Sequence, residues 1–156
     1  MFEITVEDHF SAGHFLKLYD GSWEPRHGHR FKVAVTMRSG ELDSIGVVTD
    51  FEWLKPALKK TLAEFHEKSF NDHPDFKGSR KNPSTENIAR IIHDRLVSGI
   101  PAGPARITRV TVWETPDASA SYIPEKKSFV RSREFRVRSK AAGVRSKVVG
   151  RQRRKK

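Results

Sequence analysis

Two runs of apolar–polar alternation dominate the N-terminal third of the chain. Phe2, Ile4 and Val6 alternate with Glu3, Thr5 and Glu7, and the apolar phase continues through Phe10 and Ala12 to His14. From His29, Phe31, Val33, Val35 and Met37 alternate with Arg30, Lys32, Thr36 and Arg38 up to Ser39-Gly40. A period of two places successive side chains on opposite faces, so each run predicts a strand with one apolar and one polar face. Such strands bury their apolar faces only by pairing and by packing against another layer, which commits this region to an antiparallel ribbon.

Helical spacing follows. Phe51, Leu54, Leu58, Leu62 and Phe65 recur at intervals of three and four behind Asp50, a candidate N-cap. Pro56 lies past the first turn, where proline is tolerated, so the regular helix either begins near Lys55 or is kinked at its start. Residues 71–83, with two Pro and one Gly, read as a loop. Ser84 or Thr85 then caps a second helix with Ile88, Ile91, Ile92 and Leu96 on one face and Gly99 beyond its end. A β-rich run from Ile107 to Glu114, a Pro116-Asp117 turn and a short closing strand over 120–123 complete the order ββααββ. The expected fold class is α+β, a four-stranded antiparallel sheet with two helices on one face. The uncovered face calls for oligomerisation.

Charge divides the chain. Residues 1–124 carry 16 Lys/Arg against 17 Asp/Glu, whereas residues 125–156 carry 14 against 2. The net charge of +11 therefore belongs to the tail and says nothing of the body. The boundary is placed near Pro124, with a domain over 1–124 and a basic tail over 125–156 whose composition predicts disorder. With no Cys, disulfides, thiolate metal sites and cysteine nucleophiles are excluded. The N-terminal residues lack the apolar run of a secretory signal and no stretch has the length of a membrane span, so a soluble, cytoplasmic protein is expected.

Any metal must then sit on imidazoles and carboxylates. His27 and His29 are two apart in one strand and share its apolar face, and His14 ends the neighbouring strand on the same phase. Three neutral imidazoles leave one tetrahedral position for water or substrate, the arrangement of a catalytic zinc site.

The ordered elements FSAGH, HGH, GVVTDF, NPSTEN and VWET, spread over residues 10–123, resemble the 6-pyruvoyl-tetrahydropterin synthase and 6-carboxytetrahydropterin synthase family. The resemblance covers the body and none of the tail. It implies the tunnelling fold, in which subunits join their sheets into a trimeric barrel and two trimers stack into a hexamer. It also implies Zn2+ on His14, His27 and His29, a substrate, 7,8-dihydroneopterin triphosphate, bound between subunits, and Glu114 as the pterin anchor. A carboxylate suits that task because it accepts two parallel hydrogen bonds from the 2-amino group and ring N–H. Ser84 and Thr85 fall where the family borders the pterin pocket, and Asp50 is read as structural.

The chain departs from the family at the catalytic thiol. The usual Cys position, four residues before His27, holds Trp23. The family's Asp-His pair after the first helix aligns with His66-Glu67, the same chemistry in reversed order. Glu24 gives E-x-x-H-G-H, similar to a branch in which Glu replaces Cys and the product is 6-hydroxymethyl-7,8-dihydropterin. Glu24 is the candidate base, provided partial desolvation raises its pKa, with His66 and Glu67 as further acid–base groups. The expected activity is that of a zinc-dependent carbon–oxygen or carbon–carbon lyase. The carboxy product of the queuosine route ranks first by its prevalence in the family, ahead of the hydroxymethyl and pyruvoyl products. A rival of another class is an inactive oligomeric scaffold whose tail binds nucleic acid.

Overall fold

The computed structural model describes residues 1–78, 81–100 and 103–125. The basic tail, apart from Glu125, lies outside the described residues, and so do the expectations that rest on it. The elements run β1 (Phe2–His14), β2 (His27–Ser39), α1 (Phe51–Ala63), β3 (Lys68–Ser69), α2 (Thr85–Val97), β4 (Arg106–Thr115) and β5 (Ala118–Tyr122). They form an α+β domain with one sheet in the order β3-β1-β2-β4-β5.

The two alternating runs pair antiparallel over their full length, Phe2 opposite Ser39 through to His14 opposite His27. Val6, Phe10, Val33 and Val35 therefore share one face and meet α1 and α2 there. The opposite face is polar: Thr5 and Thr36 hydroxyls lie 3.1 Å apart, and Lys32 pairs with Glu7 while its ammonium sits 4.8 Å from the Trp113 ring centre. One addition to the expected sheet is β3, which joins the free edge of β1 in parallel through Ala12–Lys68 and Gly13–Ser69. Two residues have no periodicity to detect, so the four-stranded expectation becomes five.

Asp50 caps α1 as expected, its Oδ1 accepting from the Glu52 N–H at 2.8 Å. The helix starts at Phe51 and runs through Pro56, which rules out a start near Lys55. Proline at that position leaves the carbonyl of Glu52 without its donor four residues on, a loss that water can cover because Glu52 is exposed. Of the two candidates for the second cap, Ser84 serves: its Oγ accepts from the Asn87 N–H, and Thr85 is the first helical residue. That leaves the Thr85 hydroxyl free for another partner.

A chain of aromatic rings fills the core beneath the open end of the ribbon. Phe10 stacks on Phe31 at 5.3 Å, and Phe70 meets Phe65 at 5.1 Å and Phe76 at 5.7 Å. Burying each such ring contributes roughly 1.5–3 kcal/mol. The last ring, Phe31, is fully buried and lies 5.5 Å from both His14 and His29. The core therefore ends in a dry aromatic floor under the histidines.

Candidate metal centre

His14, His27, His29 and Glu114 each bring one potential ligand atom into a cluster whose atoms all lie within 4.8 Å of one another. The strand register accounts for it. His14 is paired with His27, and His29 is one pleat further on the same face. Glu114 follows Val110 and Val112 on that face of β4, at a bulge where β4–β5 pairing shifts between Trp113 and Thr115. A bulge re-aims side chains, and here it brings the carboxylate to the histidines.

Backbone carbonyls fix the imidazoles. His14 Nδ1–H donates to the Pro83 carbonyl at 2.8 Å, and His27 Nδ1–H to that of Pro25 at 2.9 Å. A carbonyl only accepts, so each neutral ring carries its proton on Nδ1 and presents the Nε2 lone pair. Among the described residues the buried atoms His14 Nε2 and His29 Nε2 have no hydrogen-bond partner. Glu114 Oε1 approaches them at 3.4 and 3.0 Å without hydrogen-bond geometry. Buried polar atoms left unsatisfied are costly, and a shared cation would be bound by lone pairs so placed. The donor set fits a metal.

Electrostatics favour the ligand forms of His29 and Glu114. Burial lowers the His29 pKa, outweighing the Glu114 carboxylate beside it, and His14 and His27 lower it further. Burial alone would raise the Glu114 pKa. The hydrogen bond from Thr85 and the three histidines outweigh burial and hold the carboxyl below its ordinary range. Thr85 Oγ1–H donates to Glu114 Oε2 at 2.6 Å.

The remaining sequence candidates, Glu24, His66 and Glu67, have local partners outside the cluster. Glu24 is half-buried and tied to the loop base: its Oε2 accepts from the Leu16 N–H at 3.1 Å, and its own N–H donates to the Leu16 carbonyl at 2.9 Å. His66 Nδ1 accepts from the Ser11 N–H at 3.2 Å, and the Glu67 N–H donates to the Ser11 carbonyl at 2.7 Å. Both side chains are largely exposed, with 3.9 Å between His66 Nε2 and Glu67 Oε1. Glu67 holds a left-handed backbone, φ 57°, a conformation that costs a non-glycine residue energy and turns the chain into β3. An open groove of about 490 Å³ brings Glu67 and Lys68 to the same wall as Gly13, Gly28 and the metal-cluster residue His29. The carbonyls of Pro25 and Pro83 were missed from the sequence, because a backbone acceptor leaves no residue-type signature.

The fold is thus a sheet carrying two helices on one face, with a His₃Glu cluster at one end. The family model of 6-pyruvoyl tetrahydropterin synthase matches residues 3–125. This chain belongs to that family of pterin-metabolising enzymes. The 6-carboxy-5,6,7,8-tetrahydropterin synthase of Bacillus subtilis is 32% identical over 130 residues, covering 80% of this chain and 87% of that one. The dihydroneopterin monophosphate aldolase of Pyrococcus furiosus is 34% identical over 105 residues, 67% of this chain and 82% of that one. Among solved structures, the 6-pyruvoyl tetrahydropterin synthase of Caenorhabditis elegans superposes with a TM-score of 0.66 at 27% identity, covering 80% of this chain and 97% of that one.

Proposed function

We propose that this chain is a zinc-dependent lyase acting on 7,8-dihydroneopterin triphosphate, with 6-carboxy-5,6,7,8-tetrahydropterin as its product. The observation that carries the reading is the pair of orphaned, buried Nε2 atoms of His14 and His29 beside the Thr85–Glu114 hydrogen bond. Nitrogen donors in this number suit zinc. His14, His27 and His29 hold the ion, and Glu114 serves the pterin, since a fourth permanent ligand would close the position a substrate needs. When bound, the metal supplies Lewis acidity toward a side-chain hydroxyl or ketone.

The other work falls to the chain. Glu114 accepts the 2-amino and ring N–H donors of the pterin, and Thr85 holds the carboxylate ionised and aimed. Glu24 accepts the proton from the substrate side chain, exchanging its bond from Leu16 for one with substrate, and His66 and Glu67 relay protons across the groove. The Phe31 floor excludes water below the reacting carbons. Assembly into a hexamer covers the polar sheet face, and the body works in the cytoplasm. The tail adds nonspecific affinity for nucleic acid, which falls steeply with salt.

A second reading of the product has its own support. The chain has no thiol, Glu24 stands in E-x-x-H-G-H, and one relative is by name an aldolase of dihydroneopterin monophosphate. A carboxylate base that takes a hydroxyl proton favours carbon–carbon cleavage to 6-hydroxymethyl-7,8-dihydropterin. Incubation of the zinc-loaded chain with the triphosphate, followed by mass analysis of the pterin products, separates the two. Recovery of unchanged substrate alone would defeat both.

A further inference from the structure

The cluster is graded in exposure. His14 is 2% exposed, the His29 side chain 20%, and His27 is exposed. Glu114 is 30% exposed, so of the three imidazoles His27 is the most open to solvent. The residue immediately before His27 in the chain is Arg26, itself exposed. Its guanidinium carbon lies 4.9 Å from the centre of the Phe15 ring. Among the described residues no carboxylate pairs with it.

The platform under Arg26 is rigid. Phe15 follows the buried ligand His14 and is clamped by Asn71, whose Oδ1 accepts from the Phe15 N–H at 3.0 Å while its Nδ2–H donates to the Phe15 carbonyl at 2.8 Å. Trp23 packs edge-on against the same ring at 5.4 Å. On the other side, the His27 ring folds back onto the Pro25 carbonyl, which fixes the backbone on both sides of Arg26. A guanidinium laid on an aromatic face keeps its edge N–H groups free, and that edge matches two phosphate oxygens.

We infer that Arg26 is the phosphate-recognising residue of this site, binding the phosphorylated end of the pterin side chain where it leaves the metal centre past His27. The inference rests on the proposed reaction for the identity of its substrate. With the ring held at Glu114 and the side-chain hydroxyls at the histidines, the phosphate end emerges at the exposed ligand. Arg26 thereby sets preference for a phosphorylated over an unphosphorylated pterin.

The test compares the full chain with its Arg26→Gln variant, measuring by pterin fluorescence the affinity of each for 7,8-dihydroneopterin triphosphate and for 7,8-dihydroneopterin, at about 0.15 M salt to screen the tail. The expected result is a tenfold or greater loss of affinity for the triphosphate, at least five times the change seen with the unphosphorylated pterin, with bound zinc unaltered. Equal losses for the two pterins, or none, overturn the inference. Arg26→Lys keeps the charge and loses the fork, and is expected to recover only part of the preference. Turnover in the same samples reads the reaction separately: wild-type chain that binds the triphosphate through Arg26 without converting it would defeat the proposed reaction and leave the phosphate contact standing.

Discussion

Thr85 donates its hydroxyl proton to Glu114 across 2.6 Å, linking the first turn of α2 to the bulged end of β4. The bond exists because Ser84, one residue earlier, takes the capping role and frees Thr85 for the sheet. It leaves one Glu114 oxygen engaged and the other among the histidines. Thr85→Val keeps the volume and removes the donor, so the carboxyl loses a bond worth about 1.5–3 kcal/mol. The expected outcome is a KM for the pterin raised roughly tenfold or more with zinc content unchanged, measured by steady-state kinetics and metal analysis. Loss of the metal instead would make Glu114 a ligand and not the anchor.

The three histidines differ in what their loss does to the fold. His14 is buried and bonded to Pro83, whereas His27 is exposed. His14→Ala leaves a cavity and an unpaired carbonyl and is expected to lower stability by about 2–4 kcal/mol, while His27→Ala costs under about 1 kcal/mol. Both abolish stoichiometric zinc. Urea denaturation of the metal-free variants, beside metal analysis of the loaded ones, checks the contrast.

Stability of the metal-free chain depends on pH through His29 and Glu114. Both have folded pKa values below their ordinary ones. The unfolded chain takes up each proton first, so each contribution is full above the unfolded value, about 6.5 for His and 4.3 for Glu, and is lost as pH falls through the folded value. The urea midpoint in a chelator is expected to fall steadily from pH 7 to pH 4, and Glu114→Gln to flatten the lower part of that fall. A midpoint that rises on acidification contradicts the assignment.

Acid–base roles divide the candidates. Glu24→Gln keeps an acceptor for the Leu16 N–H and removes the proton acceptor, so kcat is expected to drop about 10²–10⁴-fold with zinc and pterin binding retained. Glu67→Gln, at the exposed groove, is expected to cost less and to shift the pH profile. If Glu67→Gln proves the more damaging of the two, the base is on the β3 side of the groove.

Much of this was legible because alternation is a strong signal over long strands. The phase of Phe2 through His14 and of His29 through Met37 gave the ribbon, its face and the convergence of three imidazoles. Glu114 was legible only through the family resemblance, as the pterin anchor; its place beside the histidines, at the bulge between Trp113 and Thr115, came from the structure. What escaped was carried by backbone. The two-residue β3 has no period, and its site depends on the left-handed turn at Glu67. The Pro25 and Pro83 carbonyls, which set the imidazole tautomers, have no side-chain code. The clamp of Phe15 by Asn71 joins residues 56 apart, a distance no local pattern spans.

The central claim is that the histidine cluster holds zinc and that the held metal converts a dihydroneopterin phosphate. One measurement meets both halves: the chain, stripped and reloaded with one equivalent of zinc, is incubated with 7,8-dihydroneopterin triphosphate beside His27→Ala, and the pterins are identified by mass. The account predicts a 6-carboxy or 6-hydroxymethyl pterin formed only with zinc and only by the unaltered chain. Equal conversion by His27→Ala, or none by either protein, would contradict it.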